Sequence, residues 1–67
     1  MKFNLNRLRA ERVAKGLTQK ELAEQIGMSE SGYSRVETGS SDLTVPLFTQ
    51  ILTVLGFNAS DIIIFFN

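Results

Sequence analysis

The chain has 67 residues, no Cys, no His, and a formal net charge of zero from seven basic and seven acidic residues. That length holds one domain, and the missing residue types exclude a disulfide framework, a thiolate metal site and a histidine general base. Apolar residues make up 43% and charged residues 21%, a composition for a packed core rather than a disordered polyelectrolyte.

Four glycines, Gly16, Gly27, Gly39 and Gly56, separate stretches of helical apolar periodicity. Glycine just beyond a last helical turn is a common stop signal, so helices are expected to end near residues 15, 26, 38 and 55. The first helix runs from about Leu5 to Lys15, with Leu5, Leu8 and Arg12 on one face. Arg12 stands on that apolar stripe, and a buried arginine requires an anionic partner.

The second helix opens with Thr18 and Glu21, the spacing of a capping box, flanked by Leu17 and Leu22 as a hydrophobic staple. Leu22, Ala23 and Ile26 form its inner face, and Gly27 ends it. The third helix starts at Ser29 as N-cap, with Glu30 in the first turn. Tyr33 and Val36 face inward, with the Tyr33 hydroxyl expected at the edge of the core. Glu30, Ser31, Ser34 and Arg35 face outward. Gly32, inside this helix, is either a weak point costing roughly 1 kcal/mol relative to Ala or a place of close approach to another surface.

The fourth helix begins at Thr44, with Pro46 in its first turn. Phe48, Ile51, Leu52 and Leu55 make one apolar stripe, and Leu47, Ile51 and Val54 make a second. Two stripes on one short helix suggest a second burial, against another subunit. The tail, Ser60-Asp61 followed by Ile62-Ile63-Ile64-Phe65-Phe66, fits a short helix capped by Ser60 or a strand. The tail is either a core helix with some apolar residues exposed or a dimer contact, and with the second stripe of the fourth helix the dimer contact is expected at Leu47, Ile51, Val54, Ile64, Phe65 and Phe66.

The second and third helices are joined by about three residues centred on Gly27, the layout of a helix-turn-helix. Ala23 supplies the small side chain where the two helices cross. Leu22, Ile26, Met28, Tyr33 and Val36 supply the apolar positions that hold them together. With these residues in place, the chain resembles the lambda-repressor-like, or XRE-type, domains of phage repressors, Cro proteins and bacterial regulators. The likeness rests on Leu8-Arg9 and Arg12, Leu17 to Ala23, Ile26-Gly27-Met28-Ser29, Ser34 to Gly39, and Leu43-Thr44-Val45-Pro46 running into Leu55-Gly56. The short length and apolar ending are also similar to the controller proteins of restriction–modification systems.

The resemblance implies an all-α fold of five helices across residues 1–67, a single DNA-binding domain whose last element is a short helix or strand. It implies a homodimer on double-stranded DNA, with the helix at about 29–38 in the major groove of a pseudo-palindromic operator. It also supplies Glu37 as the partner of Arg12 in a structural ion pair. Gln19 matches a family position at the start of the second helix, where it can reach phosphate or a base edge. Ser29, Glu30, Ser31, Ser34 and Arg35 match the reading face. Arg35 can donate twice to guanine, Glu30 can accept from cytosine, and the serines can bond several bases or phosphate. Glu30 also suits a helix start on electrostatic grounds alone. Arg9, Lys20 and Lys15 are expected near phosphates.

Six of the seven cations precede residue 21, and nothing basic follows Arg35. Where many relatives carry Lys or Arg after the third helix, this chain has Ser40-Ser41-Asp42. Modest affinity per subunit and a dependence on dimerisation follow from that. The expected role is transcriptional regulation in the cytoplasm. No enzymatic activity, cofactor, metal, small-molecule ligand or membrane span is expected. The competing reading is a protein-interaction module on the same fold, an antitoxin-like or antirepressor-like partner, favoured by the zero net charge and the apolar tail.

Overall fold

The computed structural model describes residues 3–58, 60, 61 and 65. Four α-helices follow in order: α1 Leu5–Ala14, α2 Gln19–Gln25, α3 Glu30–Thr38 and α4 Val45–Leu55. Each begins at a side-chain cap on an extended residue: Asn4, Thr18, Ser29 and Thr44 in turn accept a backbone N–H from the first helical turn. Such caps contribute about 1 kcal/mol each. Pro46 sits in the first turn of α4, where its missing N–H costs nothing.

At the place of the expected fifth helix, the described residues Ser60, Asp61 and Phe65 are all in 3₁₀ conformation. The cap there is not the expected Ser60. The Asp61 carboxylate accepts the Asn58 N–H at 2.8 Å and the Asp61 N–H donates to the Asn58 carbonyl at 2.9 Å. The expectations for Ile62, Ile63, Ile64 and Phe66 lie outside the described residues.

α2 packs chiefly on α3, while α1 also meets α3 and α4 meets α2. Leu8, Leu22, Ala23, Tyr33, Phe48, Ile51, Leu52, Leu55 and Phe65 form the buried core. Each large side chain among them contributes about 1.5–3 kcal/mol by leaving water. Phe48 stands at the centre of an aromatic group that the sequence pattern did not reveal. Its ring meets Phe3 at 4.8 Å and Phe65 at 5.2 Å, and Phe65 meets Phe57 at 5.4 Å, all edge to face. Ring pairs of this kind add about 0.5–1.5 kcal/mol beyond area burial. The Asn4 N–H also donates to the Phe65 carbonyl.

These contacts correct the expected dimer surface. Ile51 and Phe65 are 0% exposed within the single chain, so neither has surface left to offer a second copy. The two stripes of α4 are one buried face, and Leu47 and Val54 are its half-buried margins. Phe65 lies against Phe48 instead of projecting outward.

Replacing Phe65 by Ala is expected to remove about 3–5 kcal/mol of stability, most of what a domain of this size has. Chemical denaturation checks the loss, and sedimentation of the folded fraction checks assembly. A variant that keeps its stability while changing its assembly state would return Phe65 to an interface.

Candidate nucleic-acid interface

The α2–turn–α3 unit is fixed locally at both ends. The Thr18 hydroxyl accepts the Glu21 N–H at 3.0 Å and the Glu21 carboxylate accepts the Thr18 N–H at 2.9 Å. The Thr18 N–H holds the Glu21 carboxyl below its ordinary range. In the turn, Gly27 has φ 75°, a left-handed backbone that a side chain would strain. The Met28 N–H then closes onto the Ala23 carbonyl at 2.9 Å. Ser29 caps α3 by accepting the Gly32 N–H at 3.1 Å. A Cβ on Gly32 would lie 3.0 Å from the Ser29 hydroxyl and 3.6 Å from the Met28 methyl. Within the chain, the close neighbour at Gly32 is the helix's own cap.

A buried charged group holds α3 against α1. Arg12 and Glu37 are 8% and 6% exposed. Arg12 Nε donates to Glu37 Oε2 and Nη2 to Oε1, both at 2.9 Å, a two-pronged pairing of strong charge-assisted bonds. Arg12 Nη1 donates to the Leu17 carbonyl at 2.7 Å, and Gln19 Nε2 donates to Glu37 Oε1 at 3.2 Å. The group thereby joins α1, the entry to α2 and the end of α3. Burial pushes the Glu37 carboxyl up, but Arg12, aided by Tyr33 and Gln19, outweighs it and the net shift is downward. The bond to Glu37 raises Arg12 further.

The Tyr33 hydroxyl is fully buried and does not reach the edge of the core as expected. It lies close enough to Glu37 and Arg12 to feel both charges, yet makes no hydrogen bond of sound geometry. Burial, with Glu37 beside it, pushes this phenol well above its ordinary range.

Above this base, α3 presents Glu30, Ser31 and Arg35 to solvent, with Ser34 half-buried between them. Among the described residues the ion pairs are Arg12–Glu37 and the surface pair Arg7–Glu11, so neither Glu30 nor Arg35 is neutralised. Ser29 is exposed but its hydroxyl serves the cap, 3.5 Å from that of Ser31. Gln19 is half-buried, with its amide partly committed to Glu37. Arg9 and Lys20 are exposed. Lys15 turns instead toward the Phe57 ring, 5.8 Å from its centre.

Arg9 and Gln19 share a shallow cavity of about 470 Å³ with Asn4, Asn6 and Thr38. Asn6 and Thr38 were not singled out from the sequence. Thr38 had a legible signal, since it follows Ser34 by four residues and Ser31 by seven on the same helical face. Beyond α3, Gly39 takes φ 87°. The Ser40 and Ser41 N–H groups both close onto the Arg35 carbonyl, at 2.8 and 3.1 Å. Those N–H groups serve the helix end, the Ser40 hydroxyl lies 3.4 Å from that of Thr38, and Asp42 is exposed beside them.

Among the described residues no helix is long and apolar enough to cross a membrane. A protein family described as Helix-turn-helix matches residues 8–62, from α1 through α4. No curated protein and no solved structure is significantly similar to the chain.

Two measurements test the buried group. Because folding lowers the Glu37 pKa from its ordinary 4.5, its contribution is complete above that pH and is lost as pH falls through the lower folded value. Glu37→Gln is expected to cost about 3–5 kcal/mol at neutral pH by stranding the Arg12 charge, and to flatten the acid limb of the stability profile. Pairing Arg12→Met with Glu37→Leu is expected to recover most of that loss. Tyr33→Phe, read by thermal melting, is expected to be neutral or to stabilise by about 1 kcal/mol, since it removes a buried hydroxyl without a partner. A loss of that size would mean the hydroxyl is well bonded.

Proposed function

The chain belongs to the lambda-repressor-like helix-turn-helix family, a family of DNA-binding domains, and from that premise we propose that it regulates transcription by binding a pseudo-palindromic operator as a homodimer. α3 lies in the major groove of each half-site, and Gln19, Arg9 and Lys20 face the phosphates beside it. The observation that carries this reading is the division of α3. Tyr33, Val36 and Glu37 are buried beneath it, while Glu30, Ser31 and Arg35 stand exposed and uncommitted to other charged groups among the described residues.

Ile51 and Phe65 being internal, the second copy is met at the α4 margin. Leu47 and Val54 are half-buried there, and Val54 shares a shallow groove with Ile26, Gln25, Gln50 and Thr53. The threonines soften the polarity of that helix. Thr49 donates to the Val45 carbonyl at 2.9 Å and Thr53 to the Thr49 carbonyl at 3.0 Å, so both hydroxyls turn onto their own helix. A single copy offers little cationic surface, with no basic residue after Arg35. Doubling the contacts through a dimer offsets that deficit.

Selection of bound duplexes from a random pool, at low and at physiological salt, is the test. Enrichment of an inverted repeat with centres about one helical turn apart is expected, with affinity falling steeply as salt rises. Absence of enrichment together with a salt-insensitive protein partner would replace this reading with the protein-interaction module.

A further inference from the structure

We propose that the groove between the start of α1, the end of α3 and the α3–α4 connection docks a short basic and apolar segment of a partner protein, with an apolar side chain in the groove and a lysine or arginine against Asp42. None of its lining residues belongs to α4 or to the outward face of α3, so the site stands whether or not α3 enters DNA. The groove measures about 550 Å³, within the range of clefts that hold small ligands. Phe3, Leu5, Leu43 and the buried Val36 give it an apolar lining. Phe3, Leu5 and Leu43 are only half-buried in the single chain, so they leave apolar surface in contact with water. Gly39 ends α3 at φ 87°, and beyond that turn Ser41 and Asp42 add the polar part of the lining. An apolar surface with a polar rim is the usual form of a protein recognition site.

The charge of the groove selects the occupant. Among the described residues, the only charged side chain lining it is Asp42. Asp42 is exposed, and the ion pairs of the described residues are Arg7–Glu11 and Arg12–Glu37. No basic residue follows Arg35 in the chain to neutralise it locally. The Ser40 and Ser41 N–H groups close onto the Arg35 carbonyl, so they offer nothing to an anion. That sign is wrong for a phosphate backbone and for an acidic peptide. It suits a segment that brings its own cation. Apolar contact then supplies most of the affinity, and the exposed pairing with Asp42 supplies selectivity. A second copy fits less well. Groove set against groove leaves two concave apolar surfaces unfilled and turns one Asp42 toward the other.

The experiment titrates the full chain, labelled for amide NMR, with a capped tetrapeptide of lysine, phenylalanine, leucine and lysine. Saturating shifts are expected at the amides of Leu5, Gly39, Ser41, Asp42 and Leu43. Replacing both lysines of the peptide by glutamate is expected to weaken binding about threefold or more. Replacing its phenylalanine and leucine by serine is expected to abolish saturation. Asp42→Lys reverses the charge at an exposed position, so that chain is expected to melt like the parent while preferring the glutamate peptide. Equal affinity for the two charged peptides, or an Asp42→Lys chain that keeps the lysine preference, would overturn the proposal. So would shifts spread alike over Glu21, Glu24 and Asp61, the signature of general attraction to acidic surface. Movement of the groove amides on concentrating the chain alone would give the groove to a second copy, and saturation by a random-sequence duplex would give it to DNA. Either result overturns the proposal.

Discussion

The Arg12–Glu37 pair is the constraint on which the arrangement of the molecule depends. α3 can present a polar face only if its opposite side is held firmly, and much of that hold is ionic. Arg12 spends its guanidinium on three bonds: two to Glu37 and one to the Leu17 carbonyl. Gln19 adds a third bond to that carboxylate. A carboxylate buried without such partners would be strongly unfavourable. The pair therefore acts as a key, satisfied only when α1, the α2 entry and the end of α3 take up one relative placement. Apolar contacts alone tolerate sliding more readily than this directional set does.

This also bears on Gln19. In the proposed complex Gln19 faces DNA from a helix start, where a free glutamine would sample several rotamers. Bonded to Glu37, its amide is oriented before any nucleic acid arrives, which reduces the entropy lost on binding. On the proposed function, Gln19 would link the buried ion pair to the DNA-facing surface.

The legibility of the fold in the sequence follows the range of the forces. Thr18, Ser29 and Thr44 were readable as caps because a cap bond spans three residues. Gly27 and Gly39 were readable because left-handed backbone favours one residue type. Arg12 declared its burial by standing on an apolar stripe. Asn4 was missed as a cap although Asn is a favoured cap residue, because only four residues precede α1 and show no break in pattern. The expectation that Phe65 meets a second copy failed for a physical reason. Ile62 to Phe66 is uniformly apolar and carries no period, so nothing local says which side chains turn inward. Phe65 is buried by rings from Phe48 and Phe57, which lie 17 and 8 positions away. The Gln19–Glu37 bond crosses 18 positions and depends on the α2–α3 angle. On the reading face, residue types and spacing were legible, but the half-burial of Ser34 and the commitment of the Ser29 hydroxyl to its cap were not.

The contact between Asn4 and Phe65, with the Phe3, Phe48 and Phe65 rings stacked behind it, carries a kinetic consequence. It closes almost the longest loop the chain can make, and loop-closure entropy grows with length. The α2–α3 hairpin closes over a few residues and can form early. The aromatic seal gains its rings only once α4 is in place, so it is the last part to form and the first to open. Amide hydrogens near Phe3 and Phe65 should then exchange through small local openings, while those of α2 and α3 wait for global unfolding. α3 is then expected in the slow-exchanging half, with the earliest opening at the Asn4–Phe65 contact.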